Sequence, residues 1–205
     1  LRASVEQPLF NAFRRAEYAP DGVALVEPSL GGDVRLYRRW LARERADALL
    51  EHIRATTTWR RERRKMYDRY VDVPREQAWR GDAHEQPFTS ELRAVRDELT
   101  LMLGTRFSQV LLNRYRDGAD SVAWHNDREV ETIVAPTIAS LTLGATRAFD
   151  LRPKAARSAI VSVEVEHGDL IVMRGETQRS WEHRIAKDPR VSCERINLTF
   201  RQQPD

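Results

Sequence analysis

Two hydrophobic rhythms divide the chain. From Trp40 to Ile53 the apolar residues Leu41, Ala46, Leu49, Leu50 and Ile53 follow a 3.6-residue repeat, which predicts an amphipathic helix. The stretch from Ser90 to Gly104 repeats that rhythm. Ser90 can cap it, Leu92, Val95, Leu99 and Met102 line one face, and Gly104 closes the end. After Phe107 the rhythm changes to short β-like runs separated by turn residues. They cover 108–115, 121–125, 137–144, 147–152, 158–166, 170–173, 180–185 and 194–201. Gly144-Ala145 predicts a hairpin joining 137–144 to 147–152, and Asp117-Gly118 and His167-Gly168-Asp169 read as turns. Short strands with turns this closely spaced predict a sandwich or jelly roll. A chain of 205 residues suits a single domain. We expect residues 1 to about 105 to form an N-terminal extension and about 106 to 205 the β-rich core.

Composition excludes several classes. No apolar run approaches the roughly 18 to 20 residues of a membrane span, so no membrane partner is expected. One cysteine, Cys193, rules out an internal disulfide and any cysteine-based metal cluster. The N-terminal stretch lacks the apolar core of a secretory signal, and the bacterial cytoplasm is the expected compartment. The net charge of +3 says little about partners. Only Lys65, Lys154 and Lys187 among the 34 cations are lysine, a bias that a GC-rich genome also produces. Position matters more than the total. Nine cations and four anions fall between Arg54 and Arg80, interleaved with Trp59, Tyr67, Tyr70 and Trp79. Such a segment can track a phosphate backbone, or it can be a solvated charge run packed by its aromatics.

Two polar patterns could carry chemistry. His125 and Asp127 stand two residues apart, so a strand directs both to one face, where they can share a metal ion. One further histidine would complete the two-histidine, one-carboxylate triad of non-haem Fe(II) sites. Of the other four, His52 lies on the first helix, His84 in a polar loop and His167 in a turn suited to hydrogen bonding. His183, in Ser180-Trp181-Glu182-His183, is the best candidate. The second pattern is Arg195-x-Asn197-x-Thr199-x-Arg201, with Ile196, Leu198 and Phe200 on the opposite face. A half-buried strand gives the same alternation, but composition predicts this residue set only about 0.005 times by chance. Two guanidiniums on one face suit a dicarboxylate, which arginine grips through a two-bond fork.

Four motifs occur in order: N-R-Y-x-x-G-x-D-x-x-x-x-H-x-D-x-E (Asn113 to Glu129), I-A-S-L-T-L-G (Ile138 to Gly144), W-x-H-R (Trp181 to Arg184) and R-x-N-L-T-F-R (Arg195 to Arg201). Over roughly residues 70 to 201 the chain resembles the AlkB family of Fe(II)- and 2-oxoglutarate-dependent dioxygenases. Its similarity is greatest to the branch of animal DNA-repair homologues and their bacterial relatives.

The resemblance implies a mainly β fold with flanking helices: a double-stranded β-helix (jelly roll) core with an N-terminal α/β nucleotide-recognition lid. It implies iron held by His125, Asp127 and His183, and 2-oxoglutarate held by Asn113, Tyr115, Arg195, Asn197 and Arg201. Arg195 would meet the distal carboxylate, and Arg201 would lie near the carboxylate that chelates iron. Glu129 matches the acidic position that meets the exocyclic amine of a damaged base. Trp79 and Arg75 belong to Val73-Pro74-Arg75-Glu76-Gln77-Ala78-Trp79-Arg80-Gly81, which resembles the lid motif but has Arg80 in place of an aromatic. The aromatic element that follows in the family is shortened here, which leaves Phe88 as the nearby stacking candidate. Arg60, Arg61, Arg63, Arg64 and Lys65 become candidates for the nucleic-acid backbone.

The implied activity is oxidative dealkylation of N-alkylated bases in DNA, such as 1-methyladenine and 3-methylcytosine, with etheno adducts as further candidates. Turnover would consume O2, convert 2-oxoglutarate to succinate and CO2, and release an N-methyl carbon as formaldehyde. The expected partner is alkylated DNA or RNA, met by a monomer. The alternative is the same chemistry on RNA, a protein or a small molecule.

Overall fold

The computed structural model describes residues 21–66, 69–127 and 133–202. Thirteen strands and two long helices build it. In order they are β1 (Val23–Val26), β2 (Asp33–Tyr37), α1 (Arg43–Thr56), β3 (Arg63–Met66), β4 (Arg69–Asp72), β5 (Glu76–Gly81), α2 (Ser90–Leu103) and β6 (Gln109–Tyr115). They continue with β7 (Val122–His125), β8 (Ile138–Gly144), β9 (Arg147–Pro153), β10 (Val161–Val165) and β11 (Leu170–Arg174). A helical turn α3 (Thr177–Ser180), then β12 (Trp181–Ile185) and β13 (Arg195–Arg201), complete the chain. None of the helices is long and apolar enough to cross a membrane.

The strands form a seven-stranded sheet, β1-β2-β11-β8-β13-β6-β5, and a four-stranded sheet, β10-β9-β12-β7. Every pair in both is antiparallel. The separate pair β3–β4 forms a two-stranded ribbon. All eight strands expected after Phe107 are present, within three residues at each boundary. The jelly-roll expectation is met.

One turn is not the expected one. β8 pairs with β11 and β13, whereas β9 pairs with β10 and β12. Gly144-Ala145 therefore carries the chain from one sheet to the other and makes no hairpin. Gly144 has φ +85, and a Cβ there would stand 2.5 Å from the Glu194 carbonyl oxygen, so the crossing needs glycine. The N-terminal half also supplies more strand than its helical rhythm suggested. β2 pairs with β11 and β5 pairs with β6, which places both in the larger sheet.

The larger sheet is covered on both faces. On one side Ala46, Leu49, Leu50 and Ile53 of α1 and Leu92, Val95 and Leu99 of α2 meet Ile196, Leu198 and Phe200 of β13. The apolar stripes of both helices are thus accounted for, except that Met102 at the end of α2 is exposed. Thr89 caps α2, accepting from the Leu92 N–H at 3.3 Å, one residue before the expected Ser90. Gly104 ends that helix with φ +64. On the other side Ile138, Ile171 and Met173 meet Phe149, Leu151, Val163, Trp181 and Ile185 of the smaller sheet.

All seven residues of β13 are consequently buried. Its apolar side faces helices, and its polar side faces the space between the sheets. Burying four polar side chains is costly unless each is bonded. That cost marks the space between the sheets as the place to look for a ligand.

Candidate metal and co-substrate site

His125 ends β7 and His183 lies in β12, directly opposite it in register. Their ring centroids are 4.3 Å apart. Asp127 lies two residues past the strand end and is buried. One ligand atom from each of the three residues lies within 4.8 Å of the others, close enough to surround one ion. The Nδ1–H of His125 donates to the Ala123 carbonyl oxygen at 2.9 Å, leaving Nε2 free to ligate. Phe149 stacks on the His183 ring at 5.4 Å and fixes its plane.

The electrostatics suit a cation. Burial, and then the nearby His125, push the His183 imidazole down to about 3 despite the opposing pull of Asp127, so the ring is neutral, the form that binds metal. Burial disfavours ionised Asp127, but Arg201 and the two histidines outweigh it and hold its carboxyl below the usual range. The Arg201 guanidinium donates to Asp127 Oδ1. Asp127 Oδ2 is buried and has no hydrogen-bond partner among the described residues; its distance to His183 Nε2 is 3.9 Å. A buried carboxylate oxygen beside two imidazoles leaves a gap that a divalent ion satisfies. The donor set therefore fits Fe(II).

Beside the triad a cavity of about 800 Å³ opens between the sheets. Arg195, Asn197, Thr199 and Arg201 line it from β13, Asn113 and Tyr115 from β6, and Ser140 from β8. Register brings them together, with Arg195 opposite Tyr115 and Asn197 opposite Asn113. A bonded chain orients the polar wall. Arg195 donates to Thr142 Oγ1 at 2.9 Å and Asn197 Oδ1 at 2.8 Å, Ser140 Oγ donates to the same Asn197 oxygen at 3.0 Å, and Asn197 Nδ2 donates to Thr199 Oγ1 at 2.8 Å. Burial lowers Arg195 to about 10 against the pull of Tyr115, so it stays cationic at neutral pH. Its Nε and Nη1 find no hydrogen-bond acceptor among the described residues. A buried cation with unused donors is suited to a carboxylate.

The remaining candidates separate. Trp79 and Arg75 line the same cavity. The Arg75 guanidinium donates to Asn113 Oδ1 at 2.9 Å, and Trp79 stacks on His84 with centroids 5.3 Å apart. Phe88 does not stand there. It is 3% exposed, within the core between helices and larger sheet, with the Arg96 guanidinium over its ring. Hydrophobic burial draws this ring, two residues before the start of α2, under that helix and away from the cavity. Arg80, the replacement for an aromatic, also turns away from the cavity and donates to the Thr56 and Pro87 carbonyls.

Arg60, Arg61 and Arg63 are exposed. Arg60 pairs with Glu85, and Arg61 and Arg63 pair with Asp72, a residue of the cavity wall. Glu129 and the side chains of Arg64 and Lys65 lie outside the described residues. Of the other histidines, His167 accepts the Gly144 N–H at its Nδ1, and His52 pairs with Glu91.

The sequence reading missed Ser140, Thr142 and Gln77. Gln77 Nε2 donates to Asn113 Oδ1 at 2.8 Å. Ser140 and Thr142 carried a signal, since two hydroxyls at alternating positions of an otherwise apolar run share one face.

Two imidazoles and a carboxylate at the mouth of a jelly roll define the class of mononuclear non-haem iron oxygenases. The chain belongs to the 2OG-Fe(II) oxygenase superfamily, whose model matches residues 33–201, and within it to the AlkB dioxygenases. Alpha-ketoglutarate-dependent dioxygenase alkB homolog 3 of Homo sapiens is 33% identical over 197 residues, covering 86% of this chain and 68% of that protein. The DNA oxidative demethylase ALKBH2 of Bos taurus is 34% identical over 156 residues, covering 67% of this chain and 56% of that protein. This chain thus spans about two thirds of the first relative and little more than half of the second. Among solved structures, OsALKBH1 superposes with a TM-score of 0.61 at 16% identity, over 82% of this chain and 97% of that one, which shows a shared fold.

The protein is an Fe(II)- and 2-oxoglutarate-dependent dioxygenase. Fe(II) is its metal, and 2-oxoglutarate and O2 are its co-substrates.

Proposed function

We propose that this dioxygenase removes alkyl groups from N-alkylated nucleobases in DNA, such as 1-methyladenine and 3-methylcytosine, with etheno adducts as further candidates. The observation that carries this reading is the shared wall. The metal triad, the polar face of β13 and the indole of Trp79 all border one cavity of about 800 Å³. That is within the range of a ligand pocket able to hold a small co-substrate and a flat base together. The names of the relatives point the same way, since one of them is a DNA oxidative demethylase.

Each side chain has a task on this reading. His125, Asp127 and His183 hold the iron. Arg195 binds the distal carboxylate of 2-oxoglutarate through its unused donors, with Tyr115, Asn113 and Asn197 setting its orientation. Arg201 keeps Asp127 ionised and turned toward the metal. Bound iron with its two co-substrates supplies the oxidising chemistry. The chain itself provides a cavity between the sheets, fixed charges and an aromatic wall. Trp79 offers a face for an extruded base, with Arg75 beside it. Arg60, Arg61 and Arg63, outside the mouth, supply positive charge for phosphates. Residues before β6 carry this substrate-facing wall and act as the nucleotide-recognition lid, in a protein that works as a monomer in the bacterial cytoplasm.

The test is direct. The protein is incubated with Fe(II), 2-oxoglutarate and oligonucleotides containing 1-methyladenine or 3-methylcytosine. Loss of methyl matched by succinate and formaldehyde is the expected result. Succinate formation driven only by RNA, peptide or small-molecule substrates would move the reading to the alternative, and no substrate-coupled succinate at all would end it. Binding to DNA that does not weaken with salt would remove the cationic rim from the account.

A further inference from the structure

We infer that Gln178 is a positioning residue for the iron site, holding the backbone of Asp127 where its carboxylate can ligate. Asp127 needs such a support. His125 and His183 are fixed by the β7–β12 ladder, whereas Asp127 lies beyond the end of β7 and has no place in that ladder. Among the described residues, hydrogen bonds from two other elements hold it. Arg201 meets Asp127 Oδ1. Gln178 Oε1 accepts the Asp127 backbone N–H at 2.8 Å.

Gln178 is itself tightly placed. It is 3% exposed, and its Nε2 donates to the Met173 sulfur at 3.5 Å. It belongs to α3, the single turn between β11 and β12, five residues before the ligand His183. That turn is pinned from three directions. Thr177 Oγ1 accepts from the Asp33 N–H and donates to the Arg174 carbonyl, and Lys154 Nζ donates to the Gln178 carbonyl at 3.0 Å. One segment therefore sets the position of two ligands. It delivers His183 through the start of β12 and anchors Asp127 through an amide. The physical need is clear on both sides. A buried backbone N–H without an acceptor costs free energy, and the loop would shift to find one. A small shift of a carboxylate ligand is enough to weaken a metal site, which is why partners one step from the metal commonly change affinity 10–100-fold when removed.

The experiment titrates the metal-free protein with Mn2+ alone and reads the dissociation constant by calorimetry. Gln178→Met keeps the volume and the apolar contacts but has no amide acceptor. Its Mn2+ affinity is expected to fall by about tenfold or more, while its melting temperature without metal moves little. Gln178→Glu retains an oxygen at the same place and should recover most of the affinity. Arg179→Ala changes an exposed side chain of the same turn that pairs with Glu176, and should leave Mn2+ binding unchanged. A folded Met variant that binds Mn2+ like the wild type would overturn the inference, as would an equal loss in Arg179→Ala. If the Met variant does not fold, Gln178→Asn withdraws the amide by one methylene and is read by the same criterion.

Discussion

His125 and His183 face each other as a register pair across β7 and β12, with ring centroids 4.3 Å apart. Two hydrogen-bonded strands thus fix two of the three ligands, and the relative position of the imidazoles is a property of the sheet. Replacing either ring by alanine leaves one imidazole and one carboxylate. His183→Ala is expected to reduce turnover more than the roughly 100-fold seen for outer partners of a metal and to abolish stoichiometric Mn2+ binding. Calorimetry and succinate formation check both.

Arg195 is nearly completely buried, with two nitrogens that have no acceptor among the described residues. Removing a buried charged partner costs about 2–5 kcal/mol. Arg195→Ala should therefore raise the KM for 2-oxoglutarate by about 30-fold or more. Arg195→Lys should rescue only part of this, because an ammonium has no planar fork. Titrating the co-substrate at saturating iron measures the effect.

Phe88 and Trp79 are distinguished by opposite outcomes. Phe88→Ala opens the core under α2 and should cost about 3–5 kcal/mol of stability, with the KM for a methylated oligonucleotide unchanged in the folded protein. Trp79→Ala should leave the fold largely intact and weaken oligonucleotide binding by about 1–3 kcal/mol. Urea unfolding and fluorescence anisotropy, run on both variants, separate a packing ring from a stacking one.

Acid sensitivity should arise in part at Asp120. Burial opposes its ionisation, but the Arg116 backbone and guanidinium, donating at 2.6 to 2.9 Å, outweigh it and lower its carboxyl below the ordinary value. A depressed folded value stabilises the protein above the unfolded carboxyl value, and that stabilisation is lost as pH falls through the folded one. Asp120→Asn should cost about 1–3 kcal/mol near neutrality. The difference from wild type should shrink below about pH 4. Urea unfolding at a series of pH values reads this directly.

Local pattern was enough for much of the molecule. The R-x-N-x-T-x-R alternation of β13 identified a polar face with two arginines, and the 3.6-residue repeats of α1 and α2 identified the faces that cover the larger sheet. Both signals survive because a side chain's direction depends only on the period of its own segment. The iron triad needed more: comparison of the histidines made His183 the best candidate and resemblance to a family implied its role, but nothing near His183 in the sequence says that it stands opposite His125. Phe88, placed in the core, shows the complementary limit. An aromatic beside a helix start can face ligand or core, and only the arrival of α2 over the sheet decides which.

By itself, then, the sequence determined the two long helices, the strands after Phe107, their polar and apolar faces, and the family to which the motifs belong. Tertiary structure alone decided which strands pair. It turned Gly144-Ala145 from a hairpin into a crossing between sheets and drew β2 and β5 into the larger sheet. It also brought the Gln178 amide, 51 positions away, to the Asp127 N–H. Strand pairing and burial are choices among distant partners, settled by which arrangement bonds every buried polar group and leaves no apolar face uncovered.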